Sequence, residues 1–461
     1  MRNVRAVIIA ATAAAALVLT GCSAGGGGSG DNTITIWTVE DVAERVQAQQ
    51  AILDAYSEET GIKVELVALA EDQLPTVLAT AAASNDLPDA IGAVSLNALN
   101  QLNTDGVLDT GAAQAIVDAL GVDTFSQRAL ELTQSDGEQL GVPSDGWAQL
   151  LFYRTDLFEA AGLEAPTTYE AITEAATTLQ SPEVAGIVAA TAPGDSFTQQ
   201  TFEYFALANG CELVNDADEI SLDSPECVEA IDFYSSLILE GSVAGNQDAD
   251  TTRATYFSGG AGMLVWSSFL LDELAGLRSD ALPTCTECQA DPGFLAANTG
   301  IVNAIEGPNG SEPASFGELV SWAALDGAHE GTQDLIEYMM GDGYVDWLAL
   351  APEGKIPTRL GTAEDPTAFV DGWQTLEAGV DTKALLSDVF GPDTLQAVVE
   401  SLDSFSRWGI PQSQGALAGA VGAQFVLPGV LSETINSGMS AEDAAQQATD
   451  EANALKDDLG L

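Results

Sequence analysis

The 461-residue chain carries 70 aspartates and glutamates, one histidine (His329) and five cysteines, and these bound the chemistry its side chains can perform. Carboxylates in such number form chance pairs, so an acid-and-nucleophile arrangement for glycoside cleavage is available by count alone. One histidine removes most triad, metallohydrolase and proton-shuttle chemistries, and neither a Gly-x-Ser-x-Gly elbow nor a P-loop is present. The run Gly259-Gly-Ala-Gly262 lacks dinucleotide-site spacing and reads as tight-turn packing. Cys285-Thr-Glu-Cys288 has the spacing of half a zinc site or of a redox pair, but no second such pair exists and His329 is distant in sequence. No metal and no cofactor is expected, and the balance favours binding over catalysis.

The chain opens on Met1-Arg-Asn-Val-Arg5 and an apolar run over 6–19, which ends at Leu19-Thr20-Gly21-Cys22. The run is short of the ~20 residues that cross a bilayer and has the form of a cleaved export signal. Cleavage directly before a cysteine resembles a lipoprotein signal, in which the Cys22 thiol carries acyl chains; a plain secretory peptide with an incidental cysteine is the alternative. Residues 1–21 are therefore read as the signal, and 22–30, rich in glycine, as a flexible tether. The expected location is the outer face of the cytoplasmic membrane, anchored through Cys22. With Cys22 set aside four cysteines remain, and in that extracellular compartment an even number suggests two disulfides. Three pairings are formally possible, and Cys211 with Cys227 and Cys285 with Cys288 are favoured.

Lys and Arg total 13 against those 70 acids, a formal net charge of -57, which excludes nucleic acid as a partner. The acids are spread along a chain that is 46% apolar, so this is no disordered acidic tail, and the composition suits a salt-loving or alkaline setting. The length accommodates two cores. The elements that must position any site begin with an alternating strand at Thr33-Ile-Thr-Ile36 and Trp37. A helix over 42–60 follows, ended by Gly61, then a strand over 63–69, a helix over 74–84 and a strand entered at Leu87-Pro-Asp-Ala90. That alternation is α/β, and in such sheets ligands gather at the carboxyl ends of strands.

Thr33-Ile-Thr-Ile-Trp37, Tyr56-Ser-Glu-Glu-Thr-Gly-Ile-Lys-Val64, Gly141-Val-Pro-Ser144, Leu151-Phe-Tyr-Arg154, Pro166-Thr-Thr-Tyr169, Tyr256-Phe-Ser-Gly-Gly-Ala-Gly-Met263 with Trp266, Glu353-Gly-Lys-Ile-Pro-Thr-Arg359 and a final helix over 440–455 occur in a telling order. Together they resemble the extracellular solute-binding proteins of ABC importers, in the large sugar-binding family. Arg154 and Tyr169 depart from that family's usual Tyr-Asn-Lys and Thr-Trp. The resemblance implies a two-lobed periplasmic-binding-protein-like fold of type II, each lobe a mixed or parallel sheet flanked by helices. The lobes would be discontinuous and joined by a hinge, with crossings near Asp145 and near Phe316-Gly317. Lobe 1 would hold 31–145 plus 318–352, and lobe 2 146–317 plus 353–461.

A carbohydrate site needs flat aromatic platforms beside groups that hydrogen-bond hydroxyls. Trp37 with Glu40 and Asp41, Asp145 with Trp147, Ser95 and Asn97 after the third strand, Asp195 with Phe197, Trp266, and Arg407 with Trp408 are the candidates. Asp195 or Ser196 equally suits the N-cap of a helix over 199–209, and Arg407 equally suits pairing with a surface acid. Trp322, Trp347 and Trp373 fall in apolar stretches that suit core packing. The implied partners are a carbohydrate or similar small neutral solute and membrane-embedded permease subunits, with the chain itself a monomer. A polyol binder, or a surface glycan hydrolase or sensor, is the alternative.

Overall fold

A computed structural model describes residues 32–84 and 86–461, of which Thr33–Leu461 form one compact unit. Cys22, the expected signal and the tether lie outside the described residues. The described chain starts as alternating strand and helix. In β1 (Thr33–Thr38) every second residue is apolar, and Ile34 and Ile36 are fully buried. Helix α1 (Ala43–Thr60) stops at Gly61, whose φ of 75° is the left-handed cap that glycine takes without strain. Strand β2 (Lys63–Ala68) then runs parallel to β1, with Thr33 opposite Lys63. Helix α2 (Leu74–Ser84) leads to β3 (Ala90–Ser95), parallel to the other side of β1, and α3 (Leu96–Thr104) starts directly from its end.

Strand β4 (Val142–Arg154) is 13 residues long and serves two neighbourhoods. Beyond it come α4 (Tyr169–Leu179), α5 (Ser196–Ala208), α6 (Pro225–Gly241), β5 (Met263–Ser267), α7 (Leu270–Leu274), β6 (Thr299–Val302) and β7 (Ser315–Ala324). The C-terminal part supplies β8 (Ile356–Pro357), α8 (Pro392–Ser404), β9 (Phe405–Ser406), α9 (Gly415–Ala423), α10 (Val426–Ser437) and α11 (Ala441–Leu459). The first half of β4 lies between β8 and β7, with Asp145 opposite Pro357 and Ala148 opposite Gly317. Its second half lies between β5 and β6, with Leu150 opposite Trp266 and Arg154 opposite Thr299. Strand β7 is the second long connector: Ser315 and Phe316 pair with β9, its middle with β4, and its end with β3. Two strands thus thread both parts of a nine-stranded sheet ordered β8-β4-β7-β3-β1-β2, with β5 and β6 on the far half of β4.

The core follows this plan. Trp322, Trp347 and Trp373 are at most 1% exposed, in the packing roles their apolar surroundings suggested. On the other side, α4, α5, α6, α10 and α11 bury a separate cluster around Phe202, Tyr204 and Tyr234. Cys211 is bonded to Cys227 and Cys285 to Cys288, the favoured pairing. Of the stretch 353–461, which the resemblance assigns to the second lobe, β8 pairs with Asp145 and Gly146, whereas α10 and α11 pack with α4 to α6. Next to β8, the Arg359 guanidinium donates to Thr124 Oγ1 (3.1 Å), Leu120 O (3.0 Å) and Met340 O (2.5 Å), all beside the parallel half.

Candidate functional site

Two adjoining cavities, about 320 and 270 Å³, open where β4 and β7 cross from one half of the sheet to the other. Glu71, Ser95, Gln200 and Glu318 line both. Strand ends and bulges put side chains there. The β3–β7 register slips between Ile91 and Val94, where Ala93 adopts a φ of 60°, and the β4–β7 register slips between Pro143 and Asp145. Such bulges re-aim side chains beside functional sites. Gly146 has no room for a side chain: a Cβ there would sit 2.8 Å from Glu318 O.

The first cavity is organised by Lys355. Its ammonium lies 2.9 Å from Glu40 Oε2 and 3.2 Å from Asp145 Oδ2, and 4.3 Å from the centre of the Trp347 ring. Trp347 Nε1 donates to Asp145 Oδ1 at 2.5 Å, as does Ser144 Oγ at 2.8 Å, and Arg45 closes on Glu40 at 2.7 Å. Burial alone would raise the Glu40 carboxyl, but the Lys355 and Arg45 charges and their hydrogen bonds hold it down at about 2. For Lys355, burial works against the charge, and Asp145 and Glu40 more than offset it, so its ammonium is held above the usual range.

The second cavity is organised by Arg407. Its guanidinium bonds Glu318, lies 3.6 Å from Glu203 Oε1, and stacks 4.8 Å from the Phe316 ring centre. Glu318 also accepts the Leu96 backbone N–H at the start of α3 (3.0 Å), and Glu203 accepts that of Trp408 (2.8 Å). Burial pushes the Glu203 carboxyl up despite Arg407 and the Trp408 N–H. Helix α9 contributes a wall of small residues, Ala418, Gly419 and Gly422, opposite Asn97. Chemically the arrangement is a polar, acceptor-rich hollow with Trp147 and Phe316 as an aromatic pair, ring centres 5.8 Å apart, each lining one of the two cavities. Among the described residues no group of three or more His, Cys, Asp or Glu is placed to hold a metal ion.

Residues 41–274 match the family model of the bacterial extracellular solute-binding proteins, half of the chain. The chain belongs to that family. Its fold is that of the periplasmic-binding proteins, and the family binds solutes without chemistry on them. The chain is 26% identical over 325 residues, 68% of its length and 70% of the relative's, to YcjN of Escherichia coli, which carries the name of an ABC transporter periplasmic-binding protein. The sugar-binding protein MalE of Xanthomonas citri superposes with a TM-score of 0.69 at 18% identity, over 92% of this chain and 97% of that one. The cyclic alpha-maltosyl-1,6-maltose binding protein of Arthrobacter globiformis gives 0.68 at 19%, over 92% and 98%.

In this solute-binding protein the structure gathers seven of the sequence candidates along the two cavities: Glu40, Ser95, Asn97, Asp145, Trp147, Arg407 and Trp408. Trp408 is only 2% exposed, with its Nε1 donating to Cys211 O (2.8 Å), so it backs the wall more than it faces the space. The other five lie outside the two cavities. Trp37 packs under α2 with Leu74 and Leu78, and Asp41 is exposed. Asp195 caps α5 by accepting the Phe197 N–H (3.0 Å), and Phe197 packs on Trp266, whose Nε1 donates to Ala249 O (3.1 Å). The sequence candidates omit Arg45, Glu71, Gln199, Gln200, Glu203, Glu318 and Lys355. For Arg45 and Lys355 a signal existed: two of only 13 cations.

Proposed function

We propose that the chain is the receptor of an ABC importer and captures a carbohydrate in the cleft formed by the two cavities, between lobes that close by hinge motion about β4 and β7. The observation that carries this reading is the cleft itself. Trp147 and Phe316 offer aromatic faces to C–H surfaces, and paired carboxylates and amides suit vicinal hydroxyls. The fold neighbours named as sugar-binding, one of them for a cyclic maltosyl-maltose, and the name of the Escherichia coli relative support it. Membrane permease subunits are the corresponding partner, and acylation of Cys22 would hold the receptor at the outer face of the cytoplasmic membrane. The lobe division we propose follows the strand pairing: β8 and its neighbours with the parallel half, and α9 to α11 with α4 to α6.

Tryptophan fluorescence of the protein, titrated with mono- and oligosaccharides and polyols, tests this, with product analysis of each mixture. A saturable change with the sugar recovered intact is expected, and replacing Trp147 by Ala should weaken binding by at least tenfold. Response to polyols alone would move the ligand class, and cleaved sugar would overturn the receptor assignment.

A further inference from the structure

Resting on the carbohydrate reading, a second question is which charge the sugar carries. Five carboxylates line the two cavities, Glu40, Glu71, Asp145, Glu203 and Glu318, against three cations, Arg45, Lys355 and Arg407, so acids exceed bases by two. The cations are not free to meet an anion. Lys355 is held by Glu40 and Asp145, Arg45 by Glu40, and Arg407 by Glu318 and Glu203. Glu71 is different. It sits exposed where both cavities share lining and takes a hydrogen bond from Ser95, with the Glu318 charge as its neighbour and, among the described residues, no ion-pair partner. Although the residue as a whole is exposed, partial desolvation of its carboxyl in the cleft and then the Glu318 charge oppose ionisation there, against the Ser95 hydrogen bond, and an arriving ammonium would offset both. The second cavity adds amide oxygens to this acid excess. Gln199 is 8% exposed, and its Oε1, like Asn97 Oδ1, is buried with no hydrogen-bond partner among the described residues. A group that only donates suits this excess of acceptors, whereas a carboxylate would face Glu71 and two further glutamates, Glu203 and Glu318.

We propose that the cleft ranks saccharides by charge, amine-bearing above neutral and neutral above uronic, and that Glu71 with its neighbours Asn97 and Gln199 sets the upper step of that ranking. The ligand class is then an amino sugar or an oligosaccharide containing one. Glu71 is a specificity-determining residue, since Lys355 and Arg407 complete their pairs without it.

The test is calorimetric titration of the full chain with glucosamine, glucose and glucuronate, and with their α-1,4- and β-1,4-linked disaccharides, at 0.05 M and 1 M salt. Charge-assisted hydrogen bonds are about twice as strong as neutral ones, so the amine should bind about tenfold tighter than the neutral sugar at low salt. The uronate should bind at least tenfold more weakly. Because Glu71 is exposed, 1 M salt should shrink the amine preference to about threefold or less. Glu71→Gln should do the same at low salt, with the circular dichroism of the wild type. Binding of uronate as tight as glucose overturns the ranking while sparing the carbohydrate reading, as does an amine preference that Glu71→Gln leaves intact. Silence toward every saccharide overturns the carbohydrate reading and the ranking with it.

Discussion

Lys355 is the residue on which the cleft floor depends. It is 3% exposed and meets Asp145, 2% exposed, and Glu40. Removing one partner of a buried ion pair leaves the other charge uncompensated, which costs about 3–5 kcal/mol, whereas replacing the whole set by apolar groups is often neutral. Lys355→Met should therefore destabilise by roughly that amount in urea unfolding, and combining it with Asp145→Asn should recover part of the loss. A loss under about 1 kcal/mol would show that the pair is solvated. At this scale the sequence was half legible. Asp145 and Trp147 stood out because they flank a crossing, but nothing in the local pattern around Lys355 says that it will be buried between acids 210 and 315 positions away. Trp37 illustrates the converse: its place at a strand end suggested the cleft, and α2 covers it with Leu74 and Leu78. Which face of a strand a helix covers is a tertiary fact that strand position alone does not contain.

Among elements, α9 matters most for what the cleft can hold. Its sequence, Gly415-Ala-Leu-Ala-Gly-Ala-Val-Gly-Ala423, is a costly choice for a helix, since each glycine gives up about 0.5–1 kcal/mol against alanine. The small residues leave space: nothing lies within 4 Å of where a Cβ on Gly422 would be, and only Asn97 Nδ2 at 4.0 Å on Gly419. Gly419→Leu should fill part of the second cavity and weaken ligands that occupy both cavities by tenfold or more, with little effect on those held by the first. Thermal stability should be unchanged or higher, which separates a filled cavity from a damaged fold. Equal weakening of mono- and disaccharides would place the ligand elsewhere. The elements themselves were the most legible level. The helices expected over 42–60 and 74–84 are Ala43–Thr60 and Leu74–Ser84, because apolar spacing and a terminal glycine are local signals. The long reach of β4 and β7 was legible only through the resemblance. Local pattern does not reveal that one strand changes neighbours halfway along.

For the whole molecule, the buried acids and the surface charge act on stability in ways that pH separates. Glu40, held at about 2 against its ordinary 4.5, is deprotonated in the folded chain while still protonated in the unfolded one between those values; its contribution is present above pH 4.5 and lost as pH falls toward 2. Asp272 in α7 runs the other way. It is 1% exposed, neither carboxylate oxygen has a well-formed hydrogen bond among the described residues, and burial followed by the Glu353 charge pushes it up to about 7, with the Glu273 charge adding to this and Arg278 and a weak contact from the Glu273 N–H opposing it. Glu212 is pushed up to about 7 by burial and Glu203, against Arg128. These two hold protons that the unfolded chain releases near pH 4, so stability falls as pH rises from about 4 to 7. The chain should be most stable near pH 4–5, acidic of the usual optimum. The net charge of -57 produces a decline of the same sign, but through repulsion that 1 M salt screens to ~3 Å. Thermal melts from pH 3 to 9 at 0.1 and 1 M sodium chloride should show both parts: salt lifts the alkaline limb without flattening it. Asp272→Asn, measured at 1 M salt, should remove part of the remaining slope and gain about 1–3 kcal/mol at pH 8, the penalty of one buried unsatisfied group, with little change at pH 4. If salt alone flattens the limb, the buried carboxyls are solvated in solution and the decline belongs to surface repulsion.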